Sequence, residues 1–158
     1  MNNETNKISS QLIELFENIM KIEQKFIEKE SKKKISMVEV HTIAAIGIDE
    51  LSNMSEIAKR LQVTVGTLTA AINNLVRKNY AERYKSEKDR RFVKIGLTRQ
   101  GKEIYQIHNK FHSELAASLT KGLTEEEKAG VVKAMSNLQE FVERDDKKEN
   151  MHKVRMEK

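Results

Sequence analysis

The stretch Asp89-Arg90-Arg91-Phe92-Val93-Lys94-Ile95-Gly96-Leu97-Thr98 decides how this chain is read. Val93, Ile95 and Leu97 alternate with polar or small residues, the period-two pattern of a half-buried strand. A second candidate strand, 81–86, precedes it across the polar stretch 87–91, so the pair reads as a β-hairpin. The hairpin is basic. Positions 83–99 hold seven cations (Arg83, Lys85, Lys88, Arg90, Arg91, Lys94 and Arg99) against Glu87 and Asp89, a net +5 that equals the charge of the whole 158-residue chain. Runs of charge are most often solvated faces. A one-sign concentration in an otherwise balanced protein points instead to a polyanion, most simply nucleic acid.

Upstream of the hairpin the apolar period becomes helical. Thr64 is placed to cap a helix over 65–79 whose inner face is Val65, Leu68, Ala71, Ile72, Leu75 and Val76. Its outer face carries Gly66, Thr67, Thr69, Ala70, Asn73, Asn74 and Lys78, and no acidic residue occurs over 64–81. A polar face built only for solubility is usually rich in Lys and Glu. Small residues let a helix sit deep in the major groove, where Thr and Asn meet base edges, thymine methyls or phosphates. Asn53 with Glu56 forms a capping-box pattern that opens a short helix over 54–61, and Ser36 with Glu39 opens another over 37–47, ended by Gly47. The face Ile8, Leu12, Leu15, Phe16, Ile19, Ile22, Phe26 predicts a long helix over about 9–30. Downstream, Thr98 caps a helix over 99–119, and Thr124 with Glu127 opens one over 125–143. The last 16 residues hold 11 charged side chains and read as a solvated or disordered tail. The expected fold is mainly α with a small β-hairpin wing, a winged helix-turn-helix.

Composition excludes much else. With no Cys there are no disulfides, thiolate metal sites or thiol nucleophiles, and a reducing, cytoplasmic home fits. HExxH, GxSxG and Gly-rich nucleotide loops are absent, so an enzyme is not expected. The acids Glu125, Glu126 and Glu127 sit where they favour a helix macrodipole. No apolar run approaches the ~18–20 residues of a membrane span.

These residues resemble the MarR family of winged-helix repressors. The quoted stretch matches the family's D-x-R wing followed by an aliphatic-x-Leu-Thr strand end. Ser55-Glu56-Ile57-Ala58-Lys59-Arg60-Leu61 is similar to its second helix-turn-helix scaffold helix. The similarity covers about 8–143, with 36–98 as the winged helix-turn-helix and 144–158 as the charged tail. It implies a homodimer joined through helices 9–30, 99–119 and 125–143, and two-fold symmetry then implies an inverted-repeat operator in double-stranded DNA. The implied DNA-contacting set is Ser55, Thr64, Gly66, Thr67, Thr69, Asn73, Asn74, Lys78, Lys88, Asp89, Arg90, Arg91 and Lys94. By analogy Arg91 enters the minor groove, Asp89 orients an arginine, and Lys88, Arg90 and Lys94 meet phosphates.

Within the family, Glu39-Val40-His41-Thr42-Ile43, Val63-Thr64-Val65-Gly66-Thr67-Leu68-Thr69 and His108-Asn109-Lys110-Phe111-His112 look like the branch that represses fatty-acid biosynthesis genes. That branch implies acyl carrier protein bearing a long acyl chain as co-repressor. Phe16, Ile19, Met20, Phe26, Met37, Phe111 and Leu115 are compatible with an apolar channel, with His41 and His108 as polar anchors; packing within a dimer core is the competing reading of the apolar ones. His108 and His112 stand four apart on one helix face, a candidate metal pair, but no nearby Cys, Asp or Glu completes an obvious site unless the partner subunit supplies one, so no metal is expected. A regulator released by a small aromatic ligand and a non-specific architectural DNA-binding protein are the alternatives.

Overall fold

Ser36 sets the start of the central helices. Its Oγ accepts from the Glu39 N–H (3.3 Å) and the Glu39 carboxylate accepts from the Ser36 N–H (2.9 Å), a reciprocal cap that begins α2, Met37–Ile46. Asn53 and Glu56 repeat it for α3, Met54–Leu61, with both bonds at 2.9 Å. Thr64 Oγ1 accepts from Thr67 N–H (3.1 Å) to open α4, Val65–Arg77. Each such cap contributes about 0.5–2 kcal/mol. The computed structural model describes residues 3–49, 51–85 and 93–156, with side chains through 144. Before these helices lies α1, Asn3–Ser31. After them come the strands β2, Ala81–Lys85, and β3, Val93–Leu97, then α5, Arg99–Leu119, and α6, Glu125–Met156.

The hairpin pairs antiparallel from Ala81↔Leu97 to Lys85↔Val93. A strand the sequence did not announce, β1 (Ser52–Asn53), joins the other edge of β3 through Ser52↔Ile95 and Asn53↔Lys94, giving the order β1-β3-β2. Two residues are too few to show a period. Arg60 of α3 locks this corner: its Nη1 donates to Ala45 O (2.9 Å) and to Ser52 Oγ (3.1 Å).

The chain divides into two compact units, Met1–Glu114 and Leu115–Lys158. The first holds a core dominated by isoleucine: Ile27, Ile43, Ile46, Ile57, Ile72, Ile95 and Ile104 are fully buried, with Leu68 and Leu75 of α4 beside them. Burying each such side chain contributes about 1.5–3 kcal/mol. One predicted inner residue of α4 lies outside this core, the exposed Val65, while Val76 is half-buried and packs against it. In the second unit the expected Thr124–Glu127 capping box opens α6. Its apolar side chains Val132, Met135 and Phe141 are exposed.

Three boundaries differ from expectation. The helix α1 begins at Asn3 rather than near residue 9. At its other end α4 stops at Arg77 rather than 79, because Asn79 turns left-handed (φ 61) and sends the chain into β2. And α6 is helical to Met156, through the segment read as a solvated or disordered tail. That segment is charged but contains no Gly or Pro and is made largely of Glu, Lys, Arg and Met, all strong helix formers.

The junction of the wing with α5 is tight. Thr98 N–H donates to Tyr80 O (3.1 Å), Thr98 Oγ1 donates to Asn79 O (2.6 Å), and Gly101 N–H donates to Thr98 Oγ1 (3.1 Å). A Cβ on Gly101 would lie 2.0 Å from the Tyr80 carbonyl oxygen, a backbone atom that cannot step aside. Gly101→Ala is therefore expected to lower stability by at least about 1–3 kcal/mol. The same change at Gly130, which faces open space in α6, should be neutral or stabilising by about 0.5–1 kcal/mol. Parallel urea melts measure both, and equal effects at the two positions would refute the packing at the junction.

Candidate nucleic-acid interface

Helix α4 turns Leu68, Ile72 and Leu75 into the core and leaves Gly66, Thr67, Thr69, Ala70 and Asn73 exposed. Gly66 has open space where a side chain would stand, apart from an ordinary contact with Thr64 Oγ1. The hydroxyls are partly engaged within the helix: Thr64 Oγ1 lies 3.0 Å from Thr67 Oγ1, and Thr69 Oγ1 donates to Val65 O (2.8 Å). Ser55 is exposed at the first turn of α3, and Lys94 is exposed on β3. Lys88, Asp89, Arg90 and Arg91 lie outside the described residues.

Asn74 and Lys78 have a different role from the open set. Both reach Glu39 of α2, a carboxylate whose residue is only 6% exposed. Lys78 Nζ lies 2.6 Å from Glu39 Oε1, which also accepts from Asn74 Nδ2, while Glu39 Oε2 accepts from Ser36 N–H and Oγ. Arg77 Nη2 in turn donates to Asn74 Oδ1 (2.6 Å). Burial pushes the Glu39 carboxyl up, but the bonds and charge from Lys78 and Ser36 outweigh it and hold the carboxyl below its ordinary range. On the other flank, Arg83 of β2 donates to Asn73 Oδ1. Glu39, Arg77 and Arg83 were absent from the sequence-derived set. Arg83 stood in the basic run, and Glu39 was legible only as a cap.

The candidate ligand residues do not form one lining. Phe16 (61%) and Met20 (44%) are exposed on α1 and Ile19 is half-buried there, whereas Phe26 and Met37 pack against the core and Phe111 meets Phe26 at 5.5 Å between ring centres. Leu115 belongs to the second unit and is exposed. His41 borders an apolar pocket of about 220 Å³ with Val38, Thr42, Val63, Thr67 and Ala71. That volume is below the ~300–1,000 Å³ of a small-molecule site.

His41 and His108 converge instead on Glu23 of α1, a carboxylate 1% exposed. His108 Nε2 and His112 Nε2 lie 3.3 and 3.1 Å from Glu23 Oε1, and His41 Nε2 lies 4.0 Å from Oε2. Burial and the neighbouring His112 push the His108 imidazole below its ordinary value, against the pull of Glu23. Expecting no acid near the histidine pair was wrong: the acid comes from 89 residues away. The available signal was an acid on the apolar stripe, since Glu23 stands four residues from both Ile19 and Ile27.

The MarR family model matches residues 35–93. The structure is similar to FabT of Streptococcus pneumoniae in complex with DNA, with TM-score 0.79 and 39% identity over 88% of this chain and 97% of that one. It is also similar to a point mutant of Staphylococcus aureus MepR bound to an oligodeoxyribonucleotide, with TM-score 0.56 and 30% identity over 82% of this chain and 97% of that one. Among curated relatives, the HTH-type transcriptional regulator SarZ of Staphylococcus epidermidis is 32% identical over 97 residues, 60% of this chain. The chain spans 63% of the length of SarZ and 50% of that of the Bacillus subtilis regulator YhjH. The chain belongs to the MarR family of DNA-binding transcriptional regulators and is not an enzyme.

Glu39 gives a test of how the α4 face is held. Its depressed folded-state value means that the carboxylate adds stability above its unfolded value and that this contribution is lost as pH falls through the folded one. Glu39→Gln keeps the shape without the charge. It should lower stability by about 1–3 kcal/mol at neutral pH and flatten the stability–pH curve across the carboxylate range. Unfolding melts at neutral and acid pH measure both, and a parent-like acid limb in the variant would contradict the arrangement.

Proposed function

We propose that this chain is a homodimeric, sequence-specific repressor that binds an inverted-repeat operator and controls fatty-acid biosynthesis genes, with acyl carrier protein bearing a long acyl chain as co-repressor. The observation that carries the DNA reading is the outer face of α4: small, hydrogen-bonding, exposed and free of acidic residues. Thr67 and Asn73 are the proposed base readers. Ser55, Thr64, Gly66, Thr69 and Lys94 are proposed to position the helix and wing against the backbone. In this reading Asn74 and Lys78 work through Glu39, holding α4 in place, as well as near phosphate. Residues 36–98 act as the DNA-binding part. Arg91, by resemblance, enters the minor groove, with Asp89 orienting an arginine and Lys88 and Arg90 on phosphates.

Support for the dimer is the uncovered apolar surface. Ile8, Leu15, Phe16 and Ile22 on α1 are each 53–61% exposed, and Leu119, Val132 and Phe141 are exposed in the second unit. Large apolar side chains left exposed in each unit are what a protein–protein contact would cover. The acyl reading rests on the three FabT-like sequence stretches and on the similarity to that protein. Because the candidate channel residues do not line one cavity within a chain, an acyl chain would lie between subunits or against a rearranged α1.

Labelled operator titrated with the protein tests the reading. Acylated carrier should tighten binding about 5–150-fold, a coupling of about 1–3 kcal/mol, and the carrier without an acyl group should do much less. Equal curves would reject the co-repressor and leave the repressor standing. Loss of affinity on adding ligand would mark an inducer-responsive regulator, and equal affinity for scrambled DNA an architectural protein. In the same assay Arg91→Ala should weaken operator binding by about 1–3 kcal/mol with the dimer intact. Unchanged affinity would remove Arg91 from the interface.

A further inference from the structure

We propose that Arg83 of β2 fixes the side-chain amide of Asn73 so that its Nδ2, and not its Oδ1, is the group presented to a base edge in the major groove. Arg83 is then a positioning residue for base reading. Asn73 reads by donating, to N7 of a purine, O6 of guanine or O4 of thymine. The inference rests on the reading of Asn73 as a base-facing residue and goes beyond it, to the chemistry that residue recognises.

Hydrogen-bond polarity carries the argument. Arg83 Nη2 is in hydrogen-bond contact with the Asn73 side chain. A guanidinium carries N–H donors and no acceptor, so the amide atom facing it must be the oxygen. The amide is planar, with oxygen and nitrogen on opposite sides of Cγ. An oxygen held toward β2 therefore turns the nitrogen away from the wing. Among the described residues that nitrogen donates to no protein acceptor, and Asn73 is exposed.

The neighbouring asparagine shows the contrast. Asn74 Oδ1 accepts from Arg77 and its Nδ2 donates to Glu39, so both ends of its amide are engaged inside the protein. Asn74 holds α4 on α2, whereas Asn73 keeps a donor for something outside. There is room for a base edge beside it. Ala70, Asn73, Asn74 and Arg77 line a shallow depression of about 360 Å³, and the exposed Ala70, one helical turn before Asn73, contributes only a methyl group.

The anchor of the tie is firm. Arg83 stands opposite Ile95 in the hairpin register, and Ile95 is fully buried. Among the described residues no carboxylate pairs with Arg83, so its charge is not cancelled and adds attraction for phosphate whatever the base. The two contributions separate cleanly. Losing the charge weakens binding to all sequences, and losing the hold on the amide changes which base is preferred.

The test uses the purified full chain and a pool of double-stranded DNA with a randomised central segment. Bound duplexes are recovered and sequenced for the parent and for Asn73→Ala, Asn73→Asp, Arg83→Met and Lys85→Met. All three positions are exposed, so the variants should fold, as far-ultraviolet circular dichroism would check. The parent should enrich a motif in which Asn73→Ala flattens one position per half-site, where a single hydrogen bond discriminates by roughly 2- to 12-fold. Arg83→Met should cut the preference at that position below about twofold and leave the other positions intact. Lys85→Met, the same loss of charge two residues along β2, should weaken binding without changing any preference. Asn73→Asp keeps an oxygen for Arg83 but turns an acceptor outward, so the preference there should move toward cytosine, which presents a donor at N4. The inference is overturned if Arg83→Met weakens binding with the Asn73 position unchanged, which makes Arg83 a phosphate contact only. It is overturned equally if Asn73→Asp binds the parent's preferred base as tightly as the parent does. A motif that Asn73→Ala leaves untouched removes Asn73 as a reader, and the inference with it, but leaves the repressor standing. A parent that enriches no motif overturns the sequence-specific reading as well.

Discussion

One buried carboxylate governs how α4 is held. Glu39 uses one oxygen to cap the start of its own helix at Ser36 and the other to hold Lys78 and Asn74 at the far end of α4. A carboxylate this buried is tolerable only because both oxygens are occupied and a cation stands beside it. The arrangement fixes more than a distance. It sets the rotation of α4 about its own axis, and so which residues face outward. Arg83 on Asn73 adds a second tie from β2, so α4 is held from the helix before it and from the wing after it.

This division explains what was legible in the sequence. The starts of the capped helices were read to the residue, because Ser36/Glu39, Asn53/Glu56, Thr64 and Thr98 act through bonds to neighbours three positions on, whereas the uncapped start of α1 was not. Ends were less legible. The helix α4 stops where Asn79 turns left-handed and Tyr80 N–H donates back to Leu75 O (2.8 Å), a stop that Asn signals more weakly than Gly does. β1 was invisible because two residues become a strand only when β3 lies alongside. For the candidate site, the exposed face of α4 followed from periodicity alone. The roles of Glu39 and Glu23 did not, since their partners on other helices lie 18 to 89 positions away.

Apolar residues present the same contrast. The sequence stripe on α1 runs from Ile8 to Phe26, but only its C-terminal part meets the core: Ile27 is buried and Phe26 packs on Phe111, while Ile8, Leu15 and Phe16 are more than half exposed. Helical periodicity finds the face of a helix and cannot tell what covers it. A helix of 29 residues spends one end in the core of its unit and offers the other to whatever lies outside. On the dimer reading, that second half is covered by a second copy, and the separation of two α4 helices becomes a property of α1 packing.

The placement of the Glu23 cluster matters for this reason. It sits where the two halves of α1 meet: one turn before Ile27, which is in the core, and within a turn of Met20 and Ile22, which are exposed. Glu23 thus lies between the buried and the exposed lengths of one continuous helix. The same cluster includes His41, on the helix whose Glu39 orients α4. A regulator needs an element with two arrangements whose balance both ligand and DNA can shift. Among the described residues, the polar cluster inside the first unit is where α1, α2 and α5 meet through groups of adjustable charge. Apolar packing at that position would have fixed α1 more firmly and left it nothing to respond to.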